Sequence, residues 1–377
     1  MLSIMSALTA SYHTAHLATA ASRALPPRCS AAALEDARAR AASSGRKTLA
    51  NTLQQAEPRE LELAALLAAE ERPLEPASSV LNDVDRQIET LVDAVSRRLR
   101  LAALLDRSGS SDGEEPEQAK KPRTVDDPRT VATAVSRHLF GSGGAADDAE
   151  EAFFQGNVDS YYDPDNSFLD RVLERRQGIP ISLSLVYLEC CRRLGLQLVG
   201  LNAPRHLLLA PADTDLEFVI DPFVGTVMDS ADAALFVALN AGFGGSDAAV
   251  ERGAKLLAAL RGSPMPPHAW CARMLRNLRA VHARDDDVCR TLGACERLRL
   301  VGKAAPGASS PAEQVECAVQ LCFCIYALRW DERRDEARFL LSEMLEDPDP
   351  QGDGVALTPA ARERISELLE EDWFDED

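Results

Sequence analysis

The sequence predicts an α+β fold, and three stretches carry that expectation. Residues 181–194, "ISLSLVYLECCRRL", are apolar on nearly every side of a helix, which marks a central buried helix rather than a surface one. Three short β-rich runs follow it, "LQLVGLN", "HLLLAP" and "EFVIDPF", set apart by Asn, Pro and Asp as strands of an antiparallel sheet are. From Pro264 onward only helical periodicity is found.

The first 34 residues hold two arginines, many Ala, Ser and Thr, and no acid before Glu35, although the rest of the chain is strongly acidic. That asymmetry fits an organelle transit peptide, plastid ahead of mitochondrion, or else a disordered start. Residues 1–45 are therefore set outside the fold. Tyr12, His13 and His16 interrupt any secretory apolar core. Residues 46–150 read as an N-terminal helical region: "LELAALLAAEE" and "VLNDVDRQIETLVDAVSRRLRLAALL" repeat apolar residues at three and four, with Pro73 and Pro76 between them. Within that region residues 107–128 are polar and rich in Ser, Gly and Pro, with almost nothing to bury, and predict a surface loop or disordered insert.

Residues 151–262 form the expected core. Asp165 or Asn166 is placed to cap a short helix over 169–176, with Gly178 as its stop. Pro180 opens the buried helix in the first-turn position, where a missing N–H costs nothing, and Gly195 closes it. Residues 263–346 divide at "ARDDD" and "RWDER" into two helical hairpins, a stacked-repeat pattern. Residues 347–377 end in "ELLEEDWFDED", seven acids in eleven residues, which predicts a solvated, partly frayed tail.

With 377 residues, 46% of them apolar, the chain has enough material for two modules and real cores. A net charge of −19 disfavours binding to phosphate backbones or anionic membranes. No apolar run reaches the ~20 residues that span a bilayer. The nine cysteines form no C-x-x-C pair and sit in apolar helical patterns, so they read as reduced core residues and not as a disulfide or zinc framework. No metal or cofactor is expected.

His206 stands at the start of one strand-like run and Asp221 at the end of another, fifteen residues on, a spacing that suits neighbouring strands holding imidazole beside carboxylate. Such a carboxylate fixes the tautomer and orientation that general-base catalysis needs. A hydrogen-bonded core histidine and a turn Asp before Pro222 give the bland alternative.

The segment "FFQGNVDSYYDPDNSFLDRVLERRQGIPISLSLVYLECCRRLGLQLVGLNAPRHLLL", followed by "VIDPF", resembles the transglutaminase-like domain of the SirB family, of the SirB-one type, which is also found in an animal F-box protein. "RMLRNLRAVH" resembles the start of that family's tetratricopeptide-like tail. The resemblance covers about residues 80–346 and implies a papain-like core. In the wider superfamily a Cys at the N-terminus of a buried helix works with His and Asp on following strands. Counted back from Gly195, the cysteine's position falls at Pro180, and the His and Asp match His206 and Asp221. The nucleophile's place thus holds a pyrrolidine ring. Cys190 and Cys191 lie on the order of 15 Å along the helix and are too far to replace it. Ser182, in the first turn, is the alternative nucleophile of a hydrolase or amidase. Arg205, where the family has a small residue, would crowd a substrate entrance. The resemblance therefore implies a non-catalytic scaffold or protein-interaction module, with a protein as its partner.

Overall fold

In the computed structural model, which describes residues 29–108, 127–141, 153–215, 217–346 and 359–375, a proline and a serine fix the start of the central helix. Pro180 occupies the first helical position, and the Ser182 hydroxyl accepts from the Ile179 N–H at 3.1 Å, meeting one of the donors a helix start leaves open. Residues 1–28, expected as part of a transit peptide or disordered start, the polar stretch at 109–126 and residues 347–358 at the start of the acidic tail lie outside the described residues.

The helices and strands run in the order α1 Ala31–Ala41, α2 Ser44–Thr52, α3 Glu60–Ala69, α4 Ala77–Ser108, α5 Pro128–Phe140, β1 Gln155–Gly156, α6 Leu169–Arg175, β2 Gln177–Gly178, α7 Pro180–Arg193, β3 Leu198–Leu201, β4 Leu208–Pro211, β5 Phe218–Asp221 and β6 Thr226–Asp229. Helices follow: α8 Ser230–Asn240, α9 Asp247–Gly262, α10 Pro267–Arg284, α11 Val288–Ala304, α12 Pro311–Leu328, α13 Arg334–Glu346, α14 Pro359–Leu369 and α15 Asp372–Asp375. The described residues are mostly helical, with two small sheets. They group into two compact units, one of residues 81–266 and one of the residues up to Val80 together with 267 onward. No described helix is long and apolar enough to cross a membrane.

In the first unit β3, β4, β5 and β6 pair in sequence order as an antiparallel meander. Three of its strands are the runs expected from sequence. The fourth, β6, was not legible, because "TVMD" is partly exposed and lacks a strong apolar pattern. Leu201, Leu208, Ala210 and Val219 pack with Ala233 and Val237 of α8 and Leu257 of α9. Every residue of α7 from Pro180 to Cys191 is buried, as its all-round apolar sequence requires. Its C-terminal end is held by Arg193, whose guanidinium bonds Glu189, Glu89 at 2.7 Å and Asp85. The short helix before it ends differently from the sequence reading. Arg176, at φ 53°, is the left-handed cap, while Gly178 lies in β2, where an added Cβ would stand 2.7 Å from the Ser182 hydroxyl.

In the second unit the hairpins divide where "ARDDD" and "RWDER" place the turns. Residues 31–45, expected outside the fold, instead form α1 and the start of α2. Ser30 caps α1, and Arg40, with only 8% of its side chain exposed, pairs with Asp36 and Glu71 at 2.9 and 2.8 Å. The buried Glu70 carboxylate takes both Nε and Nη2 of Arg46, at 2.9 and 2.6 Å, with Arg297 at 3.3 Å. Gly293 has no room for a Cβ there, which would lie 2.6 Å from Glu70 Oε1.

The C-terminal residues also depart from the frayed, solvated tail. Trp373 and Phe374 are buried, and both rings meet Tyr326, at centroid distances of 5.8 and 6.3 Å. Trp373 Nε1 donates to Asp331 at 2.8 Å. All nine cysteines are free thiols, and all but Cys29 are buried.

Candidate functional site

The start of α7 and the β4–β5 pair belong to the same unit. The pairing of Leu209 with Ile220 runs the two strands antiparallel, so His206, just before β4, and Asp221, at the end of β5, come to the same end of the sheet. His206 Nε2 and Asp221 Oδ1 are 2.9 Å apart, and both residues are 4% exposed. The same carboxylate oxygen accepts from the Phe223 N–H at 2.9 Å. Two aromatic rings approach the imidazole edge to face, Phe236 at 5.1 Å and Phe223 at 6.4 Å. The pair is thus oriented and shielded from water.

The turn that delivers His206 explains the residue before it. Ala203 O accepts from the His206 N–H at 3.1 Å, closing a four-residue turn with Pro204 second and Arg205 third. Arg205 has φ 58°, the left-handed conformation that the third place of a type II turn demands and that glycine meets at least cost. A small residue at this place answers a backbone need. The Arg205 side chain is exposed.

At the start of α7 the nearest hydroxyl is committed elsewhere. Ser182 is fully buried. Its Oγ donates to Asn166 O at 2.6 Å, with Ile179 O also in reach of the same proton at 3.1 Å, while it accepts from the Ile179 N–H. These bonds hold a helix start in place. Ser184 is also fully buried, and its hydroxyl bonds back to Pro180 O at 2.6 Å. Pro180 itself is buried. Burial pushes the Cys190 thiol up to about 12 and Cys191 well above its ordinary value, which makes both poor thiolates at neutral pH.

Of the residues that brace this site, Asn166 was singled out from sequence only as a helix cap, and Asn157 and Tyr187 were not singled out. Neither Asp165 nor Asn166 caps α6. Its cap position is Phe168, with no side-chain bond, and Asp163 caps the 3-10 turn Pro164–Asn166. Asn166 is fully buried: its amide donates to Ser160 O and Tyr161 O at 2.8 and 3.2 Å, and its Oδ1 accepts from Asn157 at 3.0 Å. Through Ser182 this asparagine pair ties the loop before α6 to the first turn of α7. Tyr187 fixes the other side of the helix, its buried hydroxyl 2.5 Å from Ala132 O and 2.9 Å from Ser136 Oγ. Among the described residues no cluster of His, Cys, Asp and Glu could hold a metal ion.

Comparison with known proteins places this geometry in context. Residues 82–276 match the sequence model of the transglutaminase-like superfamily. A UPF0162 protein of Xylella fastidiosa is 36% identical over 169 residues, which are 45% of this chain and 55% of that protein. F-box only protein 21 of Homo sapiens is 31% identical over 140 residues, 36% of this chain and 20% of the relative. A UPF0162 protein of Vibrio cholerae is 35% identical over 80 residues, 21% of this chain and 30% of its own length. The chain thus spans about half the length of the first of these relatives and less of the others. No solved structure matches.

Proposed function

Because this chain belongs to the transglutaminase-like superfamily, we propose that it is a disarmed member, a non-catalytic scaffold or protein-interaction module built on a papain-like core of the SirB-one type. The observation that carries this reading is the buried Pro180 at the first position of α7, in the place assigned to the superfamily's cysteine, in a unit that keeps the His206–Asp221 pair. A thiol at a helix start gains from the dipole and a nearby imidazole, and proline offers neither nucleophile nor donor.

The alternative of a hydrolase using Ser182, His206 and Asp221 draws less support. Ser182 makes its hydrogen bonds to Asn166 and Ile179, and a hydroxyl without a base on its proton is a weak nucleophile. In the scaffold His206 and Asp221 satisfy each other and hold the two strand ends. The likeness to F-box only protein 21 favours a protein-binding use of the fold, and the hairpins of residues 263–346 are read as tetratricopeptide-like. Turnover of an ester and amide panel tests the proposal. No rate above the uncatalysed reaction is expected, and turnover lost in both His206→Ala and Ser182→Ala would overturn it.

A further inference from the structure

The second unit contains a cavity of about 440 Å³ between α10, α11, α12 and α13, within the size range of small-molecule sites. In a chain of net charge −19 its wall carries four cations, Arg276, Arg279, Arg299 and Lys303, against two carboxylates, Glu313 and Glu343. Leu298, Val315 and Met344 supply an apolar part of the wall.

The cations are unequally partnered. Arg276 is engaged by Glu313 and by Ala308 O at 2.6 Å. Its Nε lies 2.8 Å from Glu313 Oε1 but off the hydrogen-bond direction. Arg299 reaches Glu336 only at 3.5 Å. Lys303 is exposed and makes no ion pair among the described residues. Arg279 is the most telling. Its side chain is 12% exposed, Nη2 stands 3.3 Å from Glu316, and Nη1 is buried with no hydrogen-bond partner among the described residues. A buried guanidinium donor left unmet is costly, and an oxyanion in the cavity would meet it in the fork geometry that guanidinium favours.

We propose that this cavity binds a small organic oxyanion, a carboxylate or phosphate ester with an apolar body, whose head group is taken by Arg279 and Lys303 and whose body lies on Leu298, Val315 and Met344. The site is separate from the start of α7 and does not depend on the reading given to Pro180.

The test uses the full chain and three probes at constant ionic strength: hexanoate, hexyl phosphate and hexanol. Both anions should bind saturably by calorimetry and raise the melting temperature with the logarithm of their concentration, while hexanol does neither. The tighter of the two identifies the head group. Arg279→Met should weaken the anions roughly tenfold or more, since it removes a charge-assisted hydrogen bond. Lys303→Gln, at an exposed position, gives a second reading, a smaller loss in the same direction, if Arg279→Met is too unstable to measure. Binding of neither anion, equal binding of hexanol, or anion binding unchanged in both variants would overturn the proposal.

Discussion

A carboxylate as buried as Asp221 must be met by donors, and its Oδ1 has two, the His206 imidazole and the Phe223 N–H. In the structural role proposed here, His206→Ala leaves half of that demand unmet and should cost about 1–3 kcal/mol in denaturant unfolding. Asn166→Ala should cost a similar amount, about 1–3 kcal/mol, because it strips a partner from Asn157 and from two backbone carbonyls. An Asn166→Ala protein as stable as wild type would mean that the asparagine pair does not brace α7. The two sites differ in how far sequence reveals them. His206 and Asp221 are titratable residues at the ends of apolar runs, so their meeting could be anticipated. Asn157 and Asn166 lie in a stretch of Asp, Asn and Pro that reads as ordinary turn chemistry, and nothing local tells a buried asparagine from an exposed one. Arg205 was legible only as a departure, and its backbone angle supplies the reason.

Among the elements, α7 and three strands were readable because a helix buried on all sides and a short strand leave strong apolar patterns. The last helices were not. Acid content dominates residues 367–377, yet two aromatics there decide the outcome, since Trp373 and Phe374 bury themselves on Tyr326. Trp373→Ala should therefore destabilise the second unit by about 3–5 kcal/mol, where a frayed tail would give almost nothing. Helix α10 carries a second testable feature. Burial holds the His282 imidazole down at about 4, against the pull of Glu71 and Asp287, and its Nε2 has no hydrogen-bond partner among the described residues. Between about pH 6.5 and 4 the unfolded chain binds a proton there that the folded chain refuses, so stability falls as pH falls through that window. The loss should be about 2–3 kcal/mol, and His282→Leu should flatten it. Below it, Glu71 adds a further loss. Burial alone would raise this carboxyl, but Arg40 and Arg290 override it and hold it below the usual range, so its stabilisation disappears as it protonates. A His282→Leu protein with an unchanged slope between pH 6.5 and 4 would contradict the assignment.

For the whole molecule, apolar periodicity anticipated a mostly helical chain with a small sheet, and composition misplaced the folded start because Ala-rich helix and Ala-rich leader look alike. Helix α1 is capped by Ser30, and Cys29 N donates to Ala327 O at 2.8 Å. A leader cleaved within α1 would cut into packed structure, and one cleaved beyond residue 40 would also take Arg40 from Glu71. If a transit peptide is removed, the mature chain should begin at or before Cys29, which intact mass of the protein from its native cell would read. A start between residues 31 and 45 would contradict that boundary.

Whether Pro180 fills the place of a lost nucleophile is read by alkylation of Pro180→Cys against pH. First-turn positions accept many residues, so the substitution should leave the fold intact. In the proposed arrangement, which sets the start of α7 beside the His206 imidazole, a thiol there should titrate in the roughly 3.5–7.5 range of activated cysteines, below the free value of about 8.5. A new fast-reacting, acid-shifted site should rise above the background of the native cysteines and slow in the Pro180→Cys, His206→Ala double variant. A thiol that is inert, or that reacts as free cysteine whether or not His206 is present, would contradict that reading of Pro180.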